Sequence, residues 1–290
     1  MELQQLRYAL AVIDTGSFTA AARQCFVAQP SLSQSIRNLE RDLGADLFER
    51  IGRGVVVTAA GTAFAGAARA AVRAVDNVRV EVTAVSGLVA GHLDLVSLPT
   101  LAVEPVTPLV GAFRSRHPGV VVRLAQPDGT ADLVRAVVSG ASEVGVTVLP
   151  LAEPGLTAHP LGRQEIVVVL PPGSRRRTAI DARALGRLPL VTNPVGTSTR
   201  TLLDTVLSDS GITPTIAVET DQREAIIPLV LAGAGAALLP RAMAKSAGAQ
   251  GAAVVPLEPR LWRDVVLVHR DAGLLSPAAR AFCAIASASR

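Results

Sequence analysis

Between positions 64 and 85, apolar residues recur at intervals of 4, 3, 4, 3, 4 and 3: Phe64, Ala68, Ala71, Val75, Val78, Val82 and Val85. A 3.5-residue period belongs to a helix with one apolar seam, and a seam kept over three heptads is suited to meeting another helix. Residues 59–88 are alanine-rich and hold no proline, so they are expected to form one continuous helix. Arg69, Arg73, Asp76, Arg79 and Glu81 fall off the seam. The seam can pair with a second copy of the chain, or it can pack on its own domain. Either way a long rod separates an N-terminal part of the chain from a C-terminal part, and the two differ in pattern.

Residues 1–58 read as short helices. Leu3, Leu6, Leu10 and Ile13 recur at helical spacing, and Gly16 ends that run. Ser17 suits the N-cap of a second helix over Phe18–Gln24, in which Ala20, Ala21 and Ala22 allow close approach of a neighbour. Pro30 is placed to open a third helix at its first turn. On that helix Leu32, Ile36, Leu39 and Leu43 form one stripe, while Pro30, Gln34, Arg37, Asn38 and Arg41 lie opposite, with Ser31 and Ser33 flanking them. Hydroxyls, amides and arginines suit base edges and phosphates, because they approach closely and both donate and accept hydrogen bonds. A solvated face would also be polar. Three short helices with the tight linker Cys25–Gln29 before the third are, however, the layout of a helix-turn-helix. Arg50, Gly52, Arg53 and Gly54, followed by Val55–Thr58, predict a two-stranded wing whose arginine reaches a minor groove or phosphate. A plain surface turn would read the same way.

Charge alone decides little. The net charge is +4, yet residues 1–60 hold six arginines against six acids, and Lys245 is the sole lysine. Charged residues make up 18% and hydrophobic ones 49%, which marks a folding chain. Cys25 and Cys283 make no disulfide framework and no CxxC, and His92, His117, His159 and His269 have no ligand spacing. No metal or cofactor is therefore expected. The start has no basic segment followed by an apolar one, and the apolar run Ile226–Leu239 is short and broken by Pro228, Gly233 and Gly235. These features predict a cytoplasmic chain with no membrane partner.

From His92 onward β-rich and helical runs alternate, which predicts an α/β domain. Strands are expected at Leu93–Val96, Val120–Leu124, Val144–Val146, Ile166–Leu170 and Ile216–Glu219, and helices up to Arg116 and over Leu133–Val138, Arg200–Leu207 and Pro277–Ala286. The order predicts two Rossmann-like subdomains of the periplasmic-binding-protein type. Subdomain I is expected at 91–161 and 269–290, and subdomain II at 162–268. Ligands of open α/β sheets bind at strand carboxyl ends near helix N-termini. Thr100 and Thr147 stand at such strand ends, and Thr197, Ser198 and Thr199 precede a helix, so these hydroxyls are candidate ligand-binding groups. Each could equally be a cap or turn residue.

Several motifs together resemble the LysR-type transcriptional regulators. The run Gly16-Ser17-Phe18-Thr19-Ala20-Ala21-Ala22 is similar to that family's first turn and second helix, and Gln29 to Glu40 is similar to its recognition helix. Leu43-Gly44, Leu47-Phe48, Arg50, Arg53 and Thr58-Ala59-Ala60-Gly61 continue the likeness without a gap. Phe113-Arg114, His117 to Val120, Leu133-Val134 with Ser139-Gly140, and Ile226 to Pro240 resemble landmarks of the effector domain. Cys25 departs from a usual leucine-like residue, Glu143 from aspartate and Val57 from leucine. The resemblance implies a winged helix-turn-helix over 1–58, a linker and dimerisation helix over 59–88, and an effector-binding domain over 91–290. It puts Gln29, Pro30, Ser33 and Gln34 at base-contacting positions, Ser31, Arg37 and Asn38 beside phosphates, and Arg53 on the wing. It implies an interrupted palindromic operator with a T…A pair in each arm, bound by a homodimer or homotetramer. It places an effector in the cleft of the C-terminal domain and makes RNA polymerase a partner.

Readings from other classes need features this chain lacks. A dinucleotide-dependent enzyme would need a glycine fingerprint opening a helix, but Gly233 and Gly235 precede an apolar run and position 238 is leucine. No GxSxG, HExxH or P-loop is present, so no enzyme is expected. A thiol redox sensor resembling the family's peroxide sensors would need a cysteine pair in the C-terminal domain, where Cys283 stands alone. A solute-binding module that never touches DNA would need residues 1–58 to be incidental.

Overall fold

The computed structural model describes the chain apart from residues 52–53, 85–90, 152, 176, 209–210, 272–274 and 289–290, and apart from the side chains of 50–51, 54, 77 and 79–84. Three helices open it: α1 Leu3–Thr15, α2 Phe18–Gln24 and α3 Gln29–Leu43. Gly16 ends α1 at φ +64°, donating its N–H to Val12 O, and the Ser17 hydroxyl caps α2 by accepting from Ala20 N. Helix α3 begins one residue before Pro30, with Ala28 at the N-cap, and stops at Gly44 in the left-handed conformation. Leu32, Ile36 and Leu39 are buried as the stripe requires, against Ala9, Ala11, Val12, Ala21 and Ala22. Leu43 departs from the expected stripe and is 41% exposed, on the wall of a groove it shares with Leu6, Leu47 and Phe64.

Strands β1 Phe48–Ile51 and β2 Gly54–Val57 form an antiparallel hairpin, the expected wing. Glu40 ties this wing to α3: its Oε1 accepts from Leu47 N at 2.9 Å and Phe48 N at 3.2 Å. Thr58 links the hairpin to α4, Ala59–Ala84, accepting from Gly61 N while donating to Asp46 O. Gly61 must lack a side chain, since a Cβ there would fall 2.3 Å from Leu47 O. At 1.5 Å per residue α4 extends about 39 Å.

The remaining elements follow in order: β3 Gly91–Ser97, α5 Pro99–Leu101, a π-helical turn, α6 Thr107–Arg116, β4 Val120–Ala125, α7 Thr130–Val138, β5 Val144–Val148, β6 Leu156–Leu170, β7 Ile180–Asp181 and α8 Ala182–Gly186. Next come β8 Pro189–Thr192, α9 Ser198–Ser208, β9 Thr215–Glu219, α10 Ile226–Leu231, β10 Ala237–Pro240, α11 Arg241–Ala249, β11 Ala253–Arg270 and α12 Pro277–Ala288. One sheet runs β10-β6-β11-β5-β3-β4, with β7 also on β11, while β8 and β9 pair separately in parallel.

Two strands pass through both halves. The N-terminal part of β6 and the C-terminal part of β11 continue the sheet of β5, β3 and β4, and their other ends pair with each other beside β10. Ile166–Leu170 is therefore the end of a strand that starts at Leu156. Its alternate residues enter two different cores, Ile166, Val168 and Leu170 on one face and Val167 and Val169 on the other. A strand buried on both faces reads as an unbroken apolar run, and this one does. Strand β11 pairs with β5 from Val265, four residues before the expected return at His269, because the return is made inside a strand rather than at a loop.

Candidate functional site

Two surfaces carry the chemistry. The first is the outward face of α3, where Pro30, Ser31, Gln34 and Arg37 are exposed and Asn38 is half-buried. These side chains are already linked: Gln34 Nε2 donates to Asn38 Oδ1 at 3.1 Å, and Arg37 Nη2 donates to Gln34 Oε1 at 2.8 Å. Ser33 is different. It lies three residues before Ile36 and is buried with it, and its hydroxyl accepts from Gln29 Nε2 at 2.7 Å. Ser33 therefore orients Gln29 from within the domain and is not presented on the face. Arg53 lies outside the described residues. Sequence reasoning passed over Phe26, in the turn between α2 and α3, which is 95% exposed and held at φ +56°. Positive φ is uncommon for a bulky side chain, and the only trace of it in the sequence is an aromatic where a turn was expected.

The seam of α4 divides. Phe64 and Ala68 join the core formed with Leu6, Leu10, Leu39 and Leu47, the packing alternative that the spacing had left open. Arg7 with Asp76, and Arg69 with Asp14, brace α1 against α4. Ala71, Val75 and Val78 remain exposed, Val78 at 59%. The side chain of Val82 and all of Val85 lie outside the described residues. Beside the exposed stretch runs an apolar groove of about 520 Å³, lined by Met1, Leu6, Leu43, Ala63, Phe64 and Ala71 among others.

The second surface lies between the two halves of the α/β region. Thr100 follows β3 at the start of α5 and is buried; its Oγ1 accepts from Arg263 Nη2 at 3.1 Å, and its carbonyl accepts from Gln164 Nε2 at 3.1 Å. Thr147, on β5 opposite Val266, is fully buried and its hydroxyl has no partner among the described residues. Across the cleft, Thr197 donates to Pro194 O and accepts from Arg200 N, so its hydroxyl is engaged in the turn that opens α9. The hydroxyls of Ser198 and Thr199 beside it are buried and unpartnered among the described residues. The halves touch at the mouth, where Arg223 Nη2 donates to Asp128 O at 3.3 Å and a Cβ on Gly129 would come 2.5 Å from Gly196 O. Arg263 is the residue that sequence reasoning missed in this cleft. It sits between Trp262 and Asp264 in a strand, with no neighbouring base to mark it, and burial pulls its guanidinium down to about 10.

Cys283 lies in α12, partly buried against the first subdomain's core, and desolvation with the nearby Glu143 charge pushes its thiol up to about 11. A thiol so held stays protonated near neutrality and is a poor nucleophile. No helix among the described residues is long and apolar enough to cross a membrane.

Comparison with known proteins gives a consistent result over the whole chain. Residues 3–62 match the family model for the bacterial regulatory helix-turn-helix protein, lysR family, and residues 86–289 match the LysR substrate binding domain. The chain is 31% identical over 252 residues to the HTH-type transcriptional regulator TfdS of Cupriavidus pinatubonensis, covering 84% of each. It is 30% identical over 244 residues to a probable hydrogen peroxide-inducible genes activator of Mycobacterium leprae, covering 82% of this chain and 78% of that protein. Full-length OxyR from Pseudomonas aeruginosa shares the fold at TM-score 0.77 and 24% identity, over 100% of this chain and 95% of that one. Full-length CbnR, solved with its target DNA, superposes at TM-score 0.66 and 23% identity, covering 100% of both chains. With its winged helix-turn-helix, long linker helix and two-subdomain α/β domain, the chain belongs to the LysR family of transcriptional regulators.

Proposed function

We propose that this regulator acts in the cytoplasm as a homodimer, or a dimer of such dimers, setting two α3 helices into the major groove of an interrupted palindromic operator. The observation that carries the reading is the outward face of α3, where Gln34, Arg37 and Asn38 form one hydrogen-bonding array above a rigid apolar stripe. An amide in that position meets an adenine edge in a bidentate pair, and the arginine reaches a base or phosphate. Gln29, Pro30 and Ser31 contact DNA at the helix N-terminus, and the Arg53 wing follows the flanking groove. The exposed part of the α4 seam, with the groove at its base, takes α4 of a second copy. Two half-sites are then read together, which a single winged module binds too weakly to do. A small molecule between the subdomains shifts their relative orientation, and with it the bend of the operator that RNA polymerase meets. It does so only through different affinity for the two orientations.

The test is Gln34→Ala against duplexes that the full chain has selected from a random pool. One base pair should lose discrimination worth about 1–3 kcal/mol while affinity for the other variants falls evenly. Unchanged binding across every variant would remove α3 from the interface.

A further inference from the structure

We propose that Phe26 is a DNA contact, its ring packed on deoxyribose of the strand that borders the groove entered by α3. The inference rests on the reading above that α3 enters the major groove.

Backbone hydrogen bonds close α2. Cys25 N donates to Ala21 O at 2.9 Å, Phe26 N to Arg23 O at 3.2 Å and Val27 N to Ala22 O at 3.0 Å. The last two are the paired bonds of a Schellman turn, in which the residue after the C-cap is left-handed. Helices α1 and α3 end on glycine, Gly16 at φ +64° and Gly44 at φ +67°. At the end of α2 the left-handed residue is Phe26, at φ +56°, the one non-glycine residue with positive φ among the described residues. A bulky side chain in this conformation costs stability that glycine would keep and asparagine largely keeps. Packing does not offset it. Val27 makes the turn's apolar contact, against the core of Ala22 and Leu32, while Phe26 is 95% exposed. The other five phenylalanines all pack in cores. A bulky aromatic kept where the backbone resists it, and bare of packing, is accounted for by a partner that covers it.

Its place in the fold selects that partner. Phe26 comes three residues before Gln29, at most about 11 Å of chain, and Pro30 and Ser31 are exposed at the same end of α3. The turn does not follow α3 inward, because the first helix of such a pair crosses the backbone of the duplex. The ring is therefore set at the wall of the groove, which is sugar and phosphate. Arg23, three residues back on α2, is exposed, and the ion pairs of the N-terminal helices use Met1, Arg7 and Arg69 instead. A free cation suits a phosphate, and an uncharged ring beside it suits the apolar carbons of the adjoining sugar.

Phe26→Asn removes the ring and accepts the left-handed backbone. Followed through Tyr8 in a denaturant titration of the full chain, this variant should unfold at the wild-type midpoint or above it. Its affinity for the pool-selected duplexes should nevertheless fall about fivefold for each ring, the effect of burying roughly half of a phenylalanine side chain. The loss should be even over all base variants, because a sugar carries no sequence. The slope of affinity against salt should stay the same, since no phosphate contact is removed. Phe26→Tyr keeps the ring and should bind within about twofold of the wild type. The proposal is overturned if Phe26→Asn binds like the wild type, as it would were the ring a landing site for RNA polymerase or another protein. It is equally overturned if that variant loses base discrimination or salt dependence, if it unfolds at lower denaturant, or if Phe26→Tyr is as weak. Gln34→Ala is measured alongside. Lost discrimination there, with normal binding by Phe26→Asn, removes this inference alone. Unchanged binding by both variants removes α3 from the interface and this inference with it.

Discussion

Glu40→Ala removes the acceptor that ties the wing to the recognition helix. In the structure one carboxylate oxygen takes both Leu47 N–H and Phe48 N–H, the two amides at the entry to β1. A hydrogen bond to a charged group contributes about 1.5–3 kcal/mol in mutational series, and more is lost when a donor is left buried. Glu40 is only half-buried, so the freed amides recover part of that from water, and alanine returns a few tenths through helix propensity. The expected net loss is about 2 kcal/mol, confined to the N-terminal domain. The chain itself supplies the assay: its single tyrosine, Tyr8, sits in α1 and its single tryptophan, Trp262, sits in β11, so the two halves can be followed separately in one denaturant titration. The Tyr8 transition should move to lower denaturant and the Trp262 transition should stay. Glu40→Gln, which keeps a neutral acceptor, should recover about half of the loss. The reasoning fails if the Tyr8 midpoint shifts by less than about 0.5 kcal/mol, or if glutamine is as damaging as alanine.

Three further outcomes are expected. Glu165 is buried and its pKa is held low, first by the hydrogen bond from Arg241. A depressed carboxylate contributes stability above its unfolded pKa and loses it as pH falls through the folded one. Arg241→Met should therefore cost about 2 kcal/mol at neutral pH, and the gap from wild type should close in urea titrations as pH drops below about 4; a gap that does not change with pH counts against the ion pair. Cys283→Ser should leave operator affinity after peroxide treatment the same as in the wild type, and a loss on oxidation in the wild type alone would show a working thiol. Val78→Asp places a charge on the exposed part of the seam and should raise the dimer dissociation constant about a hundredfold, roughly 3 kcal/mol, in sedimentation experiments; a variant that sediments like the wild type would move the interface elsewhere.

Local signals in this chain were legible wherever one residue sets one backbone feature. Gly16, Ser17 and Gly44 end, cap and end helices as their chemistry requires, and the Arg-Gly cluster at 50–54 does bracket a hairpin. Periodicity was less decisive where two surfaces compete for one helix. The seam of α4 has a 3.5-residue period, yet Phe64 and Ala68 are used by the chain's own core, and spacing alone does not say which neighbour a stripe meets. Ser33 illustrates the same limit on α3, where a hydroxyl next to the apolar stripe is drawn inside. Arg263 was invisible because its surroundings are assembled from Thr100 and Gln164, far away in sequence, and a lone arginine in a strand reads as solvated. The crossing point of β11 was misplaced for a related reason, since a strand that changes subdomain leaves no turn residues to mark it.

That crossing restricts how the ligand domain is free to deform. Between the halves, residues 163–165 and 262–264 form a short two-stranded antiparallel ribbon, with Gly162 at φ +135° at one end and a register irregularity beside Val265. Sliding one half past the other would strip ladder hydrogen bonds from both strands at once. Bending or twisting the ribbon keeps them. The halves are left with essentially one soft coordinate, a torsion about a short double-stranded pivot, so any small molecule that biases it selects a position along a single arc.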